Sequence, residues 1–398
     1  MRYTLMNEDY EVIDFSIDES FRVLSDINLL DGFDHAPIHF REATIRYNLY
    51  RLLQERCLHP GRRDTQEIIK ALKAHNELEL SFMSSGLSLS DCYWYRPSGS
   101  TLKWKDVNCF AREYDTTLGE AILKCDYDTV TKADLLTPDL TLDGISKKAW
   151  IRVDGKPLLL KSEAGQSAFV EQSELLSARL TERLLDPVDI IDYSHYEFAG
   201  ENYIACRSMI KDGEEFVPAS QVLEMMNETN INSLKMISKD KAFLKKFTET
   251  IEGLGVKNVT AYFAKIAAVF NLTLAGDCHS TNFGFIRNLK TLKLRPAPLF
   301  DRGRSFGCFG QPMENGQLSA ASVAIKDPQS VFLIVLFNSN VLNTGWDYSW
   351  YDPARLEGFH EDIEKMLKGF PESPDKYIEL LKLAFDYQLD YLNKSSGR

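Results

Sequence analysis

The sequence predicts an α+β chain in which a small, mostly helical module (1–130) precedes a strand-rich lobe (131–210) and a helical lobe (211–398). Three observations predict it. Two β-like runs, Lys148-Ala149-Trp150-Ile151-Arg152-Val153 and Leu158-Leu159-Leu160-Lys161, flank a short Asp154-Gly155 turn. Apolar residues at helical spacing dominate 243–254, 259–274, 329–342 and 374–392. A further hairpin, 283–287 with 292–300, interrupts those helices and is bordered by acidic residues.

Within the first region, Ile45, Leu49, Leu52 and Leu53 recur at helical spacing, and His59-Pro60-Gly61 ends that helix. A second helix covers 65–75, with Asp64 as its N-cap. The pair reads as a packing module or as a helix-turn-helix. The run from Leu87 to Tyr95, leading into Trp104, reads as a polar turn and an aromatic-rich docking segment. In the second region a helix over 169–185, carrying Leu175, Leu176 and Leu180, follows the hairpin and is ended by Asp186-Pro187. Further strands are expected near 188–193, 196–198 and 203–209.

A chain of 398 residues is too long for one small core. Its 44% apolar and 26% charged residues are those of an ordinary soluble protein. The net charge of −12 argues against non-specific nucleic-acid binding by the whole molecule, because phosphate backbones need clustered cations. One local basic run exists: eight Lys and Arg residues between Arg41 and Lys73, against four acidic ones. It reads as a solvated helix face, or as a nucleic-acid contact made by the module or through a partner. Seven dispersed cysteines without a CxxC pair suggest neither a disulfide framework nor a zinc site, and fit reduced thiols in the cytoplasm. The N-terminus turns acidic too early for a signal peptide. The longest strongly apolar run, 331–337, is far shorter than the roughly 20 residues that span a bilayer. The expectation is a soluble cytoplasmic protein with no membrane partner.

Phosphoryl transfer needs a cation on the nucleotide phosphates, oxygen ligands for Mg²⁺ and a carboxylate that orients the attacking hydroxyl. Asp277 and Asn282 are five residues apart, between an apolar helix and a strand. This Asp-x-x-x-x-Asn spacing matches kinase catalytic loops, where the Asp accepts the hydroxyl proton and the Asn binds metal. Asp301 follows the apolar strand Ala297-Pro298-Leu299-Phe300 and suits a Mg²⁺ ligand. Lys161 ends the strand Leu158-Leu159-Leu160 and suits the ATP phosphates, with Glu174 on the next helix as its ion-pair partner and Glu171 as the second choice. Gly144-Ile145-Ser146-Lys147-Lys148 supplies a glycine and donors to a phosphate loop, although it is neither a Walker motif nor G-x-G-x-x-G. Each feature alone has a plain structural explanation: a solvated turn for Asp277 and Asn282, a turn cap for Asp301, a lysine reaching solvent for Lys161. Their order along the chain is that of a bilobal kinase.

Together these residues resemble the HipA-like kinase family. That family's catalytic segment runs approximately Asp-Arg-His-x-x-Asn-Phe-Gly, followed by a hairpin and Phe-Asp-x-Gly-x-Ser. Here the match reads Asp277-Cys278-His279-Ser280-Thr281-Asn282-Phe283-Gly284, then Phe300-Asp301-Arg302-Gly303-Arg304-Ser305. The resemblance covers about 130–320, and the Leu87 to Tyr95 block resembles an N-terminal module of some bacterial and phage-borne members. It implies a bilobal protein-kinase-like fold and an ATP- and Mg²⁺-dependent serine/threonine kinase acting on a protein or on itself, in some members with an antitoxin-like partner. By position it implies Asp277 as base, Asn282 and Asp301 as Mg²⁺ ligands, and Lys161 on the phosphates, held by Glu174. Gly144, Ser146 and Lys148 would line the phosphate loop, and adenine would sit at 206–210, marked by Cys206 and Met209. Cys278 stands where the family has Arg, which puts rate or regulation in doubt. Self-modification would fall on Ser305, Ser319 or Ser322. Two other readings stand beside this one: a phosphoinositide-type lipid kinase, whose loop Gly276-Asp277-x-His279-x-x-Asn282 also resembles, and a non-catalytic pseudokinase or DNA-associated regulator.

Overall fold

A computed structural model describes the chain except for residues 60, 63, 128–129, 131–133, 143, 145, 163–167, 276–278, 308–326 and 369–374, and except for the side chains of 168, 169 and 337. The chain is mixed α+β and divides into two compact units. The first comprises 1–162, 195–216 and 287–292; the second comprises 163–194, 217–286 and 293–398.

The first unit opens with a four-stranded antiparallel sheet in the order β3-β2-β1-β4: β1 (Arg2–Asn7), β2 (Tyr10–Ile17), β3 (Leu24–Leu29) and β4 (Tyr93–Pro97). This sheet was not expected; it stands beside the helices of the region, α1 (Ile45–Glu55), α2 (Thr65–Leu72), α3 (Glu77–Met83), α4 (Trp104–Val107) and α5 (Thr117–Lys124). Tyr93, Trp94 and Tyr95, expected in a docking segment, form β4. The sheet is covered on both faces. Leu5, Ile13, Phe15 and Ile17 pack with Leu49, Leu53, Leu78 and Phe82. Met6 and Trp94 point the other way, into a cluster with Trp104, Trp150 and Leu289. Residues 1–130 therefore share a core with the strand-rich region that follows.

The basic run is not one exposed face. The Arg56 guanidinium is buried and donates to Asp91 at 2.6 Å and to the Tyr93 carbonyl at 2.8 Å. Arg62 is buried against Asp64 at 2.8 Å. Asp64 does precede α2, but its carboxylate meets Arg62 and makes no cap hydrogen bond. Arg63 lies outside the described residues.

A second sheet has the order β5-β6-β8-β7: β5 (Lys147–Val153), β6 (Lys156–Ser162), β7 (Tyr193–Phe198) and β8 (Glu201–Arg207). Asp154 and Gly155 both have positive φ (53° and 68°), so a two-residue turn joins β5 to β6, with Val153 opposite Lys156. One face of this sheet is apolar: Ala149, Ile151, Leu158, Leu160, Tyr203 and Ala205 cluster with Leu123 of α5. Behind β5, the buried Asp139 carboxylate accepts the Trp150 amide at 2.7 Å and the Thr137 hydroxyl at 2.6 Å.

The second unit is helical: α6 (Ala168–Leu184), α7 (Ala219–Met225), α8 (Leu234–Lys239), α9 (Lys241–Gly253), α10 (Val259–Leu272), α11 (Pro328–Ser339), α12 (Phe359–Leu367) and α13 (Asp375–Ser396). Eleven of the fourteen residues of α10 are buried, as expected of a helix apolar on nearly all sides, and it packs on α9, α11 and α13. A third sheet runs β11-β10-β9, from β9 (Glu214–Pro218), β10 (Gly284–Asn288) and β11 (Leu294–Pro296). Among the described residues no helix is long and apolar enough to cross a membrane.

Burial pushes the Asp139 carboxyl up to about 6 from its ordinary 3.8, against the opposing effect of its two hydrogen-bond donors. The folded protein therefore holds this proton more tightly than the unfolded chain does. The resulting contribution lowers stability as pH rises from about 4 to about 6, and the cost is complete above that window. Asp139→Asn should remove this component, flattening the pH dependence of the denaturant-derived unfolding free energy by on the order of 2–3 kcal/mol relative to the parent. Superimposable pH profiles would contradict the assignment.

Candidate active site

Three of the residues expected to hold a nucleotide, Lys148, Lys161 and Cys206, share one face of the second sheet. In the β5–β6 register Lys148 lies opposite Lys161, and in the β6–β8 register Lys161 lies opposite Ile204 and Leu159 opposite Cys206. Directly opposed residues share a face, and so do residues two apart on a strand. Lys148, Leu159, Lys161, Ile204 and Cys206 therefore share the face opposite to the apolar cluster of Leu158, Leu160 and Ala205. Two opposed lysines repel, and Lys161 is only 5% exposed. Gly144 has φ +96°, and a Cβ there would stand 2.8 Å from Lys148 Nζ. The backbone thus comes close to an ammonium, in a positive-φ conformation that glycine adopts without strain. Ser146 is half-buried just before β5, and Met209 is half-buried just beyond β8.

The second unit carries the expected metal ligands. Asn282 lies two residues before β10. Asp301 lies five residues after the last residue of β11. The Ala297 amide donates to the Gly284 carbonyl at 3.1 Å, so Asn282 and Asp301 leave the same end of this hairpin. That end is held tightly. The Asn282 amide donates to the His279 carbonyl at 2.9 Å, and the Ala219 amide donates to the Phe283 carbonyl at 2.9 Å. The buried Tyr262 hydroxyl donates to the Gly284 carbonyl at 2.6 Å, and its burial raises the Tyr262 pKa.

Asp301 itself is exposed and has φ +52°, a left-handed conformation that Asp tolerates better than most side chains. Its amide donates to the Tyr193 hydroxyl at 3.0 Å. Glu174, on α6, is 3% exposed. Gly303 lies beside it: a Cβ there would stand 3.0 Å from Val170 Cγ1 and 3.8 Å from Glu174 Oε2. The Asp301 segment therefore packs on the face of α6 that carries Glu174. An amide oxygen and a carboxylate at one end of a hairpin are hard oxygen donors, the set that suits Mg²⁺.

Asp277, Cys278 and Gly276 lie outside the described residues, as do Ser319 and Ser322. Ser305 is described and is fully buried, which does not suit a self-modification site. Several supporting residues carried no sequence signal. Ser173 binds Ser305 through its hydroxyl, and Tyr377 donates to the Phe306 carbonyl. These are single polar groups contacting distant backbone, which no local pattern encodes. Gly284 and Gly303 were visible as glycines, but not the close approaches that require them.

No protein-family model matches the chain, and no curated protein matches it. The crystal structure of a Helicobacter pylori proinflammatory kinase, CtkA, is similar over 63% of this chain and 90% of its own, at 13% sequence identity and a TM-score of 0.40.

Gly284 tests the hairpin end. A Cβ at this position would stand 2.3 Å from the Val217 carbonyl oxygen and 2.7 Å from Pro218 Cα, both backbone atoms. Gly284→Ala should destabilise the protein by about 1–3 kcal/mol, read from the urea midpoint. An unchanged midpoint would mean that the approach is not tight.

Proposed function

We propose that the chain is an ATP- and Mg²⁺-dependent phosphotransferase of bilobal protein-kinase type, which passes the γ-phosphoryl group to a Ser or Thr hydroxyl of a protein or of itself. The observation that carries this reading is the one face of the β5–β6–β8 sheet on which Lys148 and Lys161 stand with Leu159, Ile204 and Cys206. Two cations next to Ile204 and Cys206, beyond the packed Trp150–Leu159 pair, match a nucleotide, whose phosphates need charge and whose base needs apolar contact. The end of the β10–β11 hairpin adds a second support, because Asn282 and Asp301 leave it together.

In this reading Lys161 and Lys148 neutralise phosphate charge, with Gly144 and Ser146 lining the approach. Glu174 is assigned as the carboxylate for Lys161 by their order along the chain, and Cys206 and Met209 are assigned to the base. Asn282 and Asp301 would hold Mg²⁺, which when bound spreads the charge that develops on the transferring group. Asp277, assigned by its spacing from Asn282, takes the proton of the attacking hydroxyl. Cys278 leaves the loop without the Arg of the HipA-like pattern and bears on rate rather than on the roles of Asp277, Asn282 and Asp301. A cytoplasmic setting and an antitoxin-like partner remain part of the same proposal. The basic run lends little to a DNA-associated reading, since Arg56 and Arg62 are internal counterions.

Purified protein with Mg²⁺ and γ-labelled ATP is expected to label itself or an added protein. Asp277→Asn should lower the rate by at least about 100-fold, the usual scale for losing a general base. Asp301→Asn should lower it comparably by weakening the metal site. Labelling at the parental rate by both variants would overturn the assignment.

A further inference from the structure

Ser173, on α6, grips the segment that follows Asp301. Its Oγ donates to the Ser305 carbonyl at 2.9 Å and accepts the Ser305 amide at 3.1 Å. Ser173 is 1% exposed and Ser305 is fully buried, so bulk water does not compete for these bonds. Val170, Ser173 and Glu174 share one face of the helix. Gly303 lies against Val170 and Glu174, and Ser305 against Ser173. At its far end the segment is tied down again: the Phe306 amide donates to the Thr273 carbonyl at 2.5 Å, and the Tyr377 hydroxyl donates to the Phe306 carbonyl. Asp301 and Phe306 both have φ near +52°, which side chains other than glycine adopt only under constraint. The shape of the segment is therefore imposed by its surroundings, and on the side nearest Asp301 the hydroxyl of Ser173 imposes it.

We propose that Ser173 is a positioning residue that locks α6 to the Asp301 segment, so that the helix bearing Glu174 and the metal-holding carboxylate move as one body. This inference rests on the phosphotransferase reading above. The same helix supplies a control: Ser177, one turn on, is also fully buried, but its hydroxyl makes no hydrogen bond among the described residues.

The test uses the full chain with a non-hydrolysable ATP analogue, titrated with Mn²⁺ and followed by electron paramagnetic resonance. Amide hydrogen exchange over 301–307 is measured in parallel. Ser173→Ala is expected to weaken Mn²⁺ binding roughly tenfold, the scale of one or two lost hydrogen bonds, and to speed exchange across 301–307. Ser177→Ala should change neither. Parental Mn²⁺ affinity or unchanged exchange in Ser173→Ala overturns the inference while leaving the phosphotransferase reading intact, and so does equal weakening by Ser177→Ala, which would mark the effect as general packing. If the parent binds no Mn²⁺ with the nucleotide analogue, the reading and the inference fall together.

Discussion

Asp301, Phe306 and Gly307 all lie in the left-handed region of backbone space, and the chain between them is held by Ser173 of α6, Thr273 at the end of α10 and Tyr377 of α13. Such a run does not hold itself, because each non-glycine residue in that region costs free energy that only surrounding contacts offset. The apolar burial of α10 supplies the frame. With most of α10 inaccessible to water, Thr273 occupies a fixed place just beyond its end. Phe306 then buries its ring near Phe359, with centroids 6.4 Å apart. Asp301 consequently projects, with its side chain exposed, from a segment held on both sides.

The strand-rich unit meets a similar demand by different means. The β5–β6–β8 sheet spends one face on packing against α5; on the other, Trp150 and Leu159 join the cluster of Met6, Trp94 and Trp104, and Lys148 and Lys161 stand beside them. The N-terminal sheet has no such division, since both of its faces are covered by apolar clusters. Polar ties stitch this unit together across long sequence separations. Asp212 accepts Trp104 Nε1 at 2.9 Å and Asn108 Nδ2 at 2.8 Å, and buried Arg287 lies 2.7 Å from Glu215 while donating to the Ala36 carbonyl. Each oxygen of Asp212 accepts one of these bonds, and Glu8 and Cys92 lie close by.

How much of this was legible in the sequence depended on whether the signal was local. Asp154-Gly155 announces the β5–β6 hairpin because a tight turn with two positive φ angles restricts residue choice. Helices α6, α9, α10, α11 and α13 were legible through 3.6-residue periodicity or sustained apolar content. The N-terminal sheet was not: Leu5 and Met6 are buried side by side because each face of the sheet has its own core, and Val12 and Ile13 are both buried in one core because the β1–β2 register shifts there, and the two effects erase the alternation by which a strand is recognised. The basic run misled for a related reason. Buried Arg56 and Arg62 answer the carboxylates of Asp91 and Asp64, and a sequence does not mark which cations are internal. In the candidate site, the Asp277, Asn282 and Asp301 pattern was readable as spacing. The hydroxyl of Ser173 was not, since its partner lies 132 residues away and is backbone.

We propose that this chain binds ATP at the lysine face of its second sheet and Mg²⁺ at the end of its β10–β11 hairpin. A crystal structure with Mg²⁺ and a non-hydrolysable ATP analogue tests it most directly. The account predicts phosphate oxygens within hydrogen-bond reach of Lys161 Nζ, and a metal ion coordinated by oxygens of Asn282 and Asp301 at about 2.1 Å. Nucleotide bound away from Lys148 and Lys161, or a metal ion touching neither Asn282 nor Asp301, would contradict it.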